Sequence, residues 1–561
     1  MVHIQKKIFI LLIFFVGISL RLINIDYGLP NFVNSDEISF LTSTNYYYSF
    51  LDKNIYRNLI DPFVSPLLTF LLTSFFLTLK LIFNHSFILA ELKNEIETNP
   101  WIMIFLGRLS STIFNILSIY FINHCLKIFN LKFFLRALIL MVLFTSYSNI
   151  LVSQTNGKFA VVTFLYSLQF YQFLKIYIKK KNSFKNIFLL IVITSFGFGT
   201  NYYCSIVGLM GLFLIFLEEN KKLRLKIIYI FTTLFSLIAI IPTLVLNVSP
   251  FDKYLNNPEM REQYYVDRNF FEAFFFDVKE IANSIIQFEP YVFLIALLTI
   301  LFIFKKKDNA NYDYKIIILF FLSILIPIFL ISIADHVKSA IRYGSIYVSS
   351  ISLLLGYILS KDQSFQRLIK FVLIFCIAFN FMIYFLLQTA LSKDDSRHIF
   401  FQKYKNFVYD GKIGFYKLNK LDLTFKKILF EKEIIFSPKE VLGKNNKKQI
   451  LKKLSKFNDD KNKVDKRIFL DGAVGIEDIK QFRLLLIELT KLPVSYYGIE
   501  YSKDDIQLEK IKILQSEYEL IDIINDNFKV YEHKREILDF NDLIEIKRMG
   551  SKILIFRIKK S

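Results

Sequence analysis

KKIFILLIFFVGISLRLINIDYGLPNFVNSDE, residues 6–37, is the stretch whose reading decides the fold. Two lysines stand before a nearly pure apolar run at 8–23, and two adjacent acids, Asp36 and Glu37, stand after it. A run of that length and purity is a membrane span. No small-x-small cleavage site follows it, and Arg21 comes at once, so it reads as an uncleaved first crossing with Lys6 and Lys7 inside. A carboxylate pair where the chain leaves lipid costs free energy unless solvent, a partner or a reaction makes use of it. The plain alternative is a solvated pair that closes a helix.

The rest of the chain repeats the apolar theme. Of 561 residues, 54% are hydrophobic and 63 are Phe, with a mean hydropathy of +0.41. That is the composition of a polytopic α-helical membrane protein. The formal charge of +21 does not indicate a nucleic-acid partner. Much of it lies in short clusters between apolar runs, as in KKKNSFK at 179–185, KKLRLK at 221–226 and KKK at 305–307. Clusters so placed mark cytoplasmic loops. Cys125, Cys204 and Cys376 lie in or beside apolar segments without metal-ligand spacing, so structural disulfides are not expected.

Apolar runs follow near 63–84, 101–124, 133–151, 158–178, 186–200, 203–218, 226–246, 290–304, 316–333, 340–359 and 368–390. If the run at 63–84 crosses, every later basic loop falls on the wrong side. If it lies along the outer surface or re-enters, the loops alternate correctly, giving about eleven crossings with the N-terminus inside and the C-terminus outside. Residues 1–390 then form the transmembrane domain, and 391–561 a separate extracytoplasmic α/β domain. In that domain RIFLDGA (467–473) and PVSYYGIEYS (493–502) read as strands, 476–492 has helical periodicity, and the tail reads as a hairpin about Gly550-Ser551.

This topology collects the unusual polar residues on the outer face. Asp36 and Glu37 follow the first span. The turn SQTNGK (153–158) brings Asn156 and Lys158, TNYYC (200–204) brings Tyr202, and the long loop 247–289 contains Arg268. DHVKSAIRY before the run at 340 brings His336, Lys338 and Arg342. Carboxylates and cations around one chamber with hydrocarbon walls suit group transfer from a lipid-linked phosphate. A carboxylate takes the proton of an acceptor hydroxyl as it attacks the anomeric carbon. Arg and Lys stabilise the departing polyprenyl phosphate. The chain contains no phosphate-cradling Gly loop for a nucleotide.

The order of these landmarks resembles the polyprenyl-phosphate-dependent GT-C glycosyltransferases, the class of the protein O-mannosyltransferases and the lipid A aminoarabinose transferases. The matching pieces are RLINIDYGLPNFVNSDE (21–37), SPLLTFLL (65–72), GRLSSTIFNILSIYFI (107–122) and RYGSIYVSSISLLLGY (342–357), with NVSPFDKYLNNPEM (247–260) a looser echo. The resemblance implies a catalytic role for Asp36 and Glu37 and a place for Arg342 beside the lipid phosphate. One departure is plain. Many relatives have an acid in the turn at 153–160, where this chain has Lys158-Phe159, and Asn201 stands where a Lys is usual. The substitutions leave a divalent cation an open question, and no other cofactor is implied.

Each residue also has a plain reading. Arg342 could snorkel to the interface, His336 and Lys338 could be solvated, and Asn156 and Lys158 could simply form a turn. Tyr202 could belong to an interfacial aromatic belt, Arg268 could sit on a solvated face, and Arg108 could make an intramembrane ion pair or headgroup contact. The expected function is transfer of one sugar from a polyprenyl-phosphate donor to a lipid, polysaccharide or protein acceptor outside a bacterial inner membrane, with inversion. The competing class is a transporter or flippase of lipid-linked sugars, which should show ionisable residues at mid-membrane depth or broken helices.

Overall fold

The computed structural model describes residues 2–27, 64–83, 100–181, 183–218, 223–234, 270–290, 313–334, 344–361, 366–393 and six strands between 413 and 558, with isolated positions beside them. The helices are α1 (Val2–Leu22), α2 (Val64–Phe83), α3 (Pro100–Ile128), α4 (Phe133–Thr145), α5 (Tyr147–Ser153), α6 (Lys158–Tyr177) and α7 (Phe184–Thr200). A 3-10 turn at Tyr202–Ser205 leads into α8 (Ile206–Glu218), followed by α9 at 223–234. Then come α10 (Phe270–Phe288), α11 (Tyr314–Ala334), α12 (Gly344–Lys361) and α13 (Gln366–Leu391).

Burial patterns rank these helices from centre to rim. Every residue of α12 from Gly344 to Leu359 is buried, and α6 buries residues on all its faces. Helices apolar or small all round belong inside a bundle. By contrast α13 buries Ile369, Leu373, Cys376, Asn380, Ile383 and Leu387 at helical spacing, and turns Phe371, Phe375 and Phe385 outward. That outward face suits hydrocarbon. Ile102–Ile128, Lys158–Tyr177, Gly344–Lys361 and Gln366–Leu391 are long and apolar enough to cross a membrane, and α4 with α5 makes a fifth span if the bent pair is one crossing. Small hydroxyl residues let the central helices approach. Ser118 of α3 meets Ser167 of α6 at 2.7 Å, and Thr163 of α6 meets Ser345 of α12 at 2.8 Å.

Where residues are described, expected apolar runs and observed helices agree closely, with two corrections; of the runs at 226–246 and 290–304, residues 235–246 and 298–304 lie outside the described residues. The run at 133–151 is not one straight helix. It breaks at Ser146 with a bend of 55°, although neither Pro nor Gly is present there. The cause is side-chain competition for the backbone: Ser146 caps α5 by accepting from the Asn149 N–H. The second correction concerns 247–289, read as a polar loop. Its last part is the amphipathic helix α10, which buries Ile281, Ile285 and Phe288 and packs against α11. Glu272, Asp277, Lys279 and Glu280 interrupt its hydropathy, which is why an apolar-run search misses it.

A chain of side-chain hydrogen bonds runs through this interior. Arg21 Nε donates to Asn115 Oδ1 at 2.9 Å, and Asn115 Nδ2 donates to Asn149 Oδ1 at 3.1 Å. Asn149 Nδ2 donates to Ser146 Oγ at 3.3 Å, and Ser146 Oγ donates to Glu289 Oε1 at 2.6 Å. Every donor points from the buried cation towards the buried carboxylate. Arg21 Nη1 adds bonds to the Gly17 and Phe144 carbonyls, and its guanidinium lies 5.2 Å from the Phe144 ring centre. The chain thereby ties α1, α3, the α4–α5 break and the end of α10.

At one end of the bundle cations gather on the start of α4. Lys6 lies over Phe133 and Lys370 over Phe134, at 5.8 and 5.5 Å, and Lys132 donates to Gln366 at 3.3 Å. The opposite end is where α1 finishes and α6 and α12 begin.

Six strands form one sheet: β1 (Ile413–Lys417), β2 (Glu433–Phe436), β3 (Arg467–Asp471), β4 (Tyr496–Tyr501), β5 (Tyr518–Ile524) and β6 (Lys552–Ile558), in the order β2-β3-β1-β4-β6-β5. The first four pair in parallel, and β6 runs antiparallel between β4 and β5. Parallel neighbours need long crossover connections. The helical pattern at 476–492 falls in one of them and lies outside the described residues. The strands expected at 467–473 and 493–502 are present. The expected hairpin about Gly550-Ser551 falls on residues outside the described ones; β6 itself has β4 on one edge and β5 on the other.

Asn115→Leu tests the buried chain. It strands the Arg21 Nε donor and the Asn149 acceptor, so stability should fall by about 2 kcal/mol or more. Adding Arg21→Met should recover part of that loss. Thermal unfolding in detergent reads both, and an unchanged midpoint for Asn115→Leu contradicts the role given to the chain.

Candidate functional site

Among the sequence-derived site residues, Asn156, Lys158 and Tyr202 fall within the described part of the chain. Asp36, Glu37, Arg268, His336, Lys338 and Arg342 lie outside it. The site is therefore built from the described segments that lead into these residues.

The first is the exit of α1. Asn24 has a φ of 54°, the left-handed conformation that Asn tolerates and that ends a helix. A helix end leaves carbonyls without intrahelical partners, and here nearly all of them are taken up. The Ile25 and Tyr27 N–H groups close turns onto Leu22 and Asn24. Tyr384 O–H donates to the Leu20 carbonyl at 3.0 Å. Gln154 Nε2 donates to the carbonyls of Arg21 at 3.2 Å and Ile23 at 2.8 Å. Arg108 Nη1 donates to those of Ile25 at 2.8 Å and Tyr27 at 2.7 Å. Asn24 Nδ2 donates to Gln388 Oε1 at 2.7 Å. Side chains from three elements, α3, α13 and the turn after α5, thus hold the chain where it leaves α1. Arg108, expected to make an intramembrane ion pair or headgroup contact, donates to two backbone carbonyls just past the end of α1.

The second segment is the turn between α5 and α6. Thr112 of α3 donates to the Ser153 carbonyl at 2.9 Å. Asn156 is buried directly over Gly107, so any Cβ there would have to displace the Asn156 amide. Lys158 is the first residue of α6, after a Gly157 cap with no side-chain hydrogen bond, and its Nζ lies 5.9 Å from the Phe159 ring centre. A lysine in a first turn opposes the helix dipole. Its charge adds to the positive end of that dipole, while Phe159, Ala160 and Val161 behind it are buried.

The third is the start of α12. Ser345 meets Thr163 in the second turn of α6, so α12 begins at the same end as α6. Arg342 and Tyr343 come immediately before it in the chain. Tyr202 occupies the 3-10 turn between α7 and α8, where the Cys204 carbonyl accepts from Gln169 Nε2 at 3.0 Å. The α1 exit, the start of α3, the α5–α6 turn, the start of α12 and the end of α13 all collect at one end of the bundle, opposite the cations around Phe133. Among the described residues no group of three His, Cys, Asp or Glu side chains could hold a metal ion.

Sequence reading missed Gln154 and Glu289 as organising residues. Gln154 is an uncharged amide in the turn at 153–158 and gives no signal of its own. Glu289 closes the long loop 247–289 in the sequence, and a lone acid in IIQFEPYVF, between two apolar stretches, is the signal that finds it.

If Arg108 and Gln154 hold one exit, their losses are coupled. Arg108→Ala and Gln154→Ala should each lower the unfolding midpoint, and the double variant should differ from the sum by more than about 0.5 kcal/mol. Strict additivity contradicts a shared role.

Comparison with known proteins adds a likeness among solved structures. No family model and no curated protein matches the chain. Among solved structures, the chain is similar to the crystal structure of ArnT from Cupriavidus metallidurans bound to undecaprenyl phosphate. Identity is 10% and the TM-score 0.48, over 99% of this chain and 98% of that one.

Proposed function

We propose that this chain is an integral-membrane glycosyltransferase that moves a sugar from a polyprenyl-phosphate donor to an acceptor on the extracytoplasmic side. The observation that supports it best is the convergence, at the end of the bundle away from the basic cluster, of the segments leading into Asp36-Glu37, Lys158 and Arg342. In this reading the basic end is cytoplasmic. The chain makes about eleven crossings, α2 lies at the outer surface or re-enters, and the C-terminal sheet belongs to an extracytoplasmic α/β domain.

Asp36 acts as the general base on the acceptor hydroxyl, and Glu37 orients it or the acceptor. Arg342 with Lys338 carries the negative charge that grows on the leaving phosphate. Lys158, at the N-terminus of α6, adds to that field. Asn156, Tyr202, His336 and Arg268 line the approach of donor or acceptor. The prenyl tail stays in lipid, and a single displacement inverts the anomeric centre. The acceptor is a lipid, a polysaccharide or a protein.

A second reading, a flippase for lipid-linked sugars, draws on the break at Ser146 and the buried Arg21 and Glu289, features used by transporters. Here those groups are engaged with one another through hydrogen bonds, which favours a fixed scaffold. Detergent-solubilised protein separates the two, because transfer proceeds without a membrane to cross and flipping does not.

Asp36→Asn, inserted and expressed normally, should lower transfer by at least about 10²-fold, the lower end of what a general base contributes. It should still bind a polyprenyl phosphate. Mass analysis of glycans and glycolipids from cells with and without each form reads the result, and undiminished product with the variant contradicts the assignment. For topology, a reporter after residue 391 should be active outside and one at 182 inside.

A further inference from the structure

The cations at the start of α4 converge on two adjacent rings. Phe133 carries two of them: Lys6 Nζ of α1 lies 5.8 Å from its ring centre, and the Arg136 guanidinium lies 5.6 Å from it. The neighbouring Phe134 carries Lys370 of α13 at 5.5 Å. Lys132 ties α4 to α13 through Gln366, at 3.3 Å. Lys127, near the end of α3, is repelled by Arg136 and Lys7. Four helices thus deliver positive charge to one place.

Nothing on those helices offsets it. Residues 2–22, 100–153 and 366–391 contain no Asp or Glu. Asp362, before α13, lies outside the described residues. Arg136 Nε is buried and has no hydrogen-bond acceptor. Like charges gathered this closely repel one another. Orientation in a membrane does not require it, since basic residues act from anywhere in a short loop. Elsewhere among the described residues a ring carries a single cation, as Tyr177 carries Lys180 and Tyr357 carries Lys361. Just beyond the cations the surface turns apolar. Phe134 is exposed, as are Phe9, whose ring meets Phe133 at 5.9 Å, and Ile374, one turn after Lys370.

We infer that the start of α4, between α1 and α13, is a binding site for an anionic phospholipid. Its phosphodiester lies among Lys6, Arg136 and Lys370, with Lys127 and Lys132 at the rim, and an acyl chain runs over Phe9, Phe134 and Ile374. The two phenyl rings hold long cationic side chains in place for the headgroup. Exposed hydrocarbon directly beside them suits a lipid rather than a free phosphate. The site lies at the end of the bundle opposite the segments that lead to Asp36 and Arg342, so it stands or falls apart from the proposed function.

The test uses full-length protein in detergent, with phosphatidylglycerol as the probe and zwitterionic phosphatidylcholine as its control. Native mass spectrometry counts the bound lipid. Phosphatidylglycerol should bind at least about tenfold more tightly than the control, and its affinity should fall as salt rises. Lys6→Gln, Arg136→Gln and Lys370→Gln should each raise its Kd about fivefold. Lys185→Gln removes an exposed cation at the start of α7 and should leave the Kd unchanged. Lys6 is exposed and Lys370 only half-buried, so those two variants decide the matter if Arg136→Gln does not fold. An equal loss from Lys185→Gln reduces the cluster to a general positive potential and overturns the inference. Equal binding of the two lipids overturns it too, as does displacement of the bound lipid by an equal concentration of inorganic phosphate, the mark of a phosphate site that does not use the acyl chain.

Discussion

The structure depends on how a cation and a carboxylate are kept inside an apolar bundle. Arg21 and Glu289 are both buried, and no direct ion pair joins them. Asn115, Asn149 and Ser146 stand between, and each passes its donor towards the acid. Isolated charges in hydrocarbon surroundings are expensive. A chain whose dipoles all align lowers that cost, because successive hydrogen bonds polarise one another. The alignment also has a geometric consequence. Ser146 cannot both cap α5 and donate to Glu289 within one straight helix, so the α4–α5 bend follows from the chain.

That bend is what links interior to site. Because α5 leaves α4 at 55°, its C-terminal residue is followed by Gln154 placed under the carbonyls of α1. The start of α5, in turn, lies against Gly344. One short helix thus touches the segment that runs to Asp36 and the segment that follows Arg342. These two positions are far apart in the chain, and the bundle holds their approaches together through buried polar contacts. Contacts of this kind contribute modestly one by one in membranes, and their larger effect is to specify one arrangement of helices.

Much of the helical framework was legible from hydropathy, since α3, α6, α7, α11, α12 and α13 follow the expected apolar runs within a few residues. Hydropathy could not show the break at Ser146, because serine leaves an apolar average almost unchanged while its hydroxyl redirects the backbone. Nor could it show α10, whose apolar residues occupy a single face. In the sheet β3 and β4 were legible from their β-branched and aromatic content, whereas β1, β2 and β5 were not read, and neither were the neighbours of β6. Pairing is set by tertiary order, and a Gly-Ser step is only a local hint. At the site, the charged residues stood out because they are rare beside long apolar runs. Gln154, Asn115 and Asn149 did not, since a buried amide is recognisable only from the partner it meets.

The central claim is that the acid pair after α1 and the cation before α12 face one chamber on one side of the membrane. It is tested most directly by a distance between spin labels at Ser35→Cys and Ser339→Cys, which spare the proposed site residues, in a chain whose three buried cysteines are replaced. The account requires a distribution centred well below the hydrocarbon thickness of about 30 Å. A distribution centred at or beyond about 30 Å places the two segments on opposite leaflets and contradicts it.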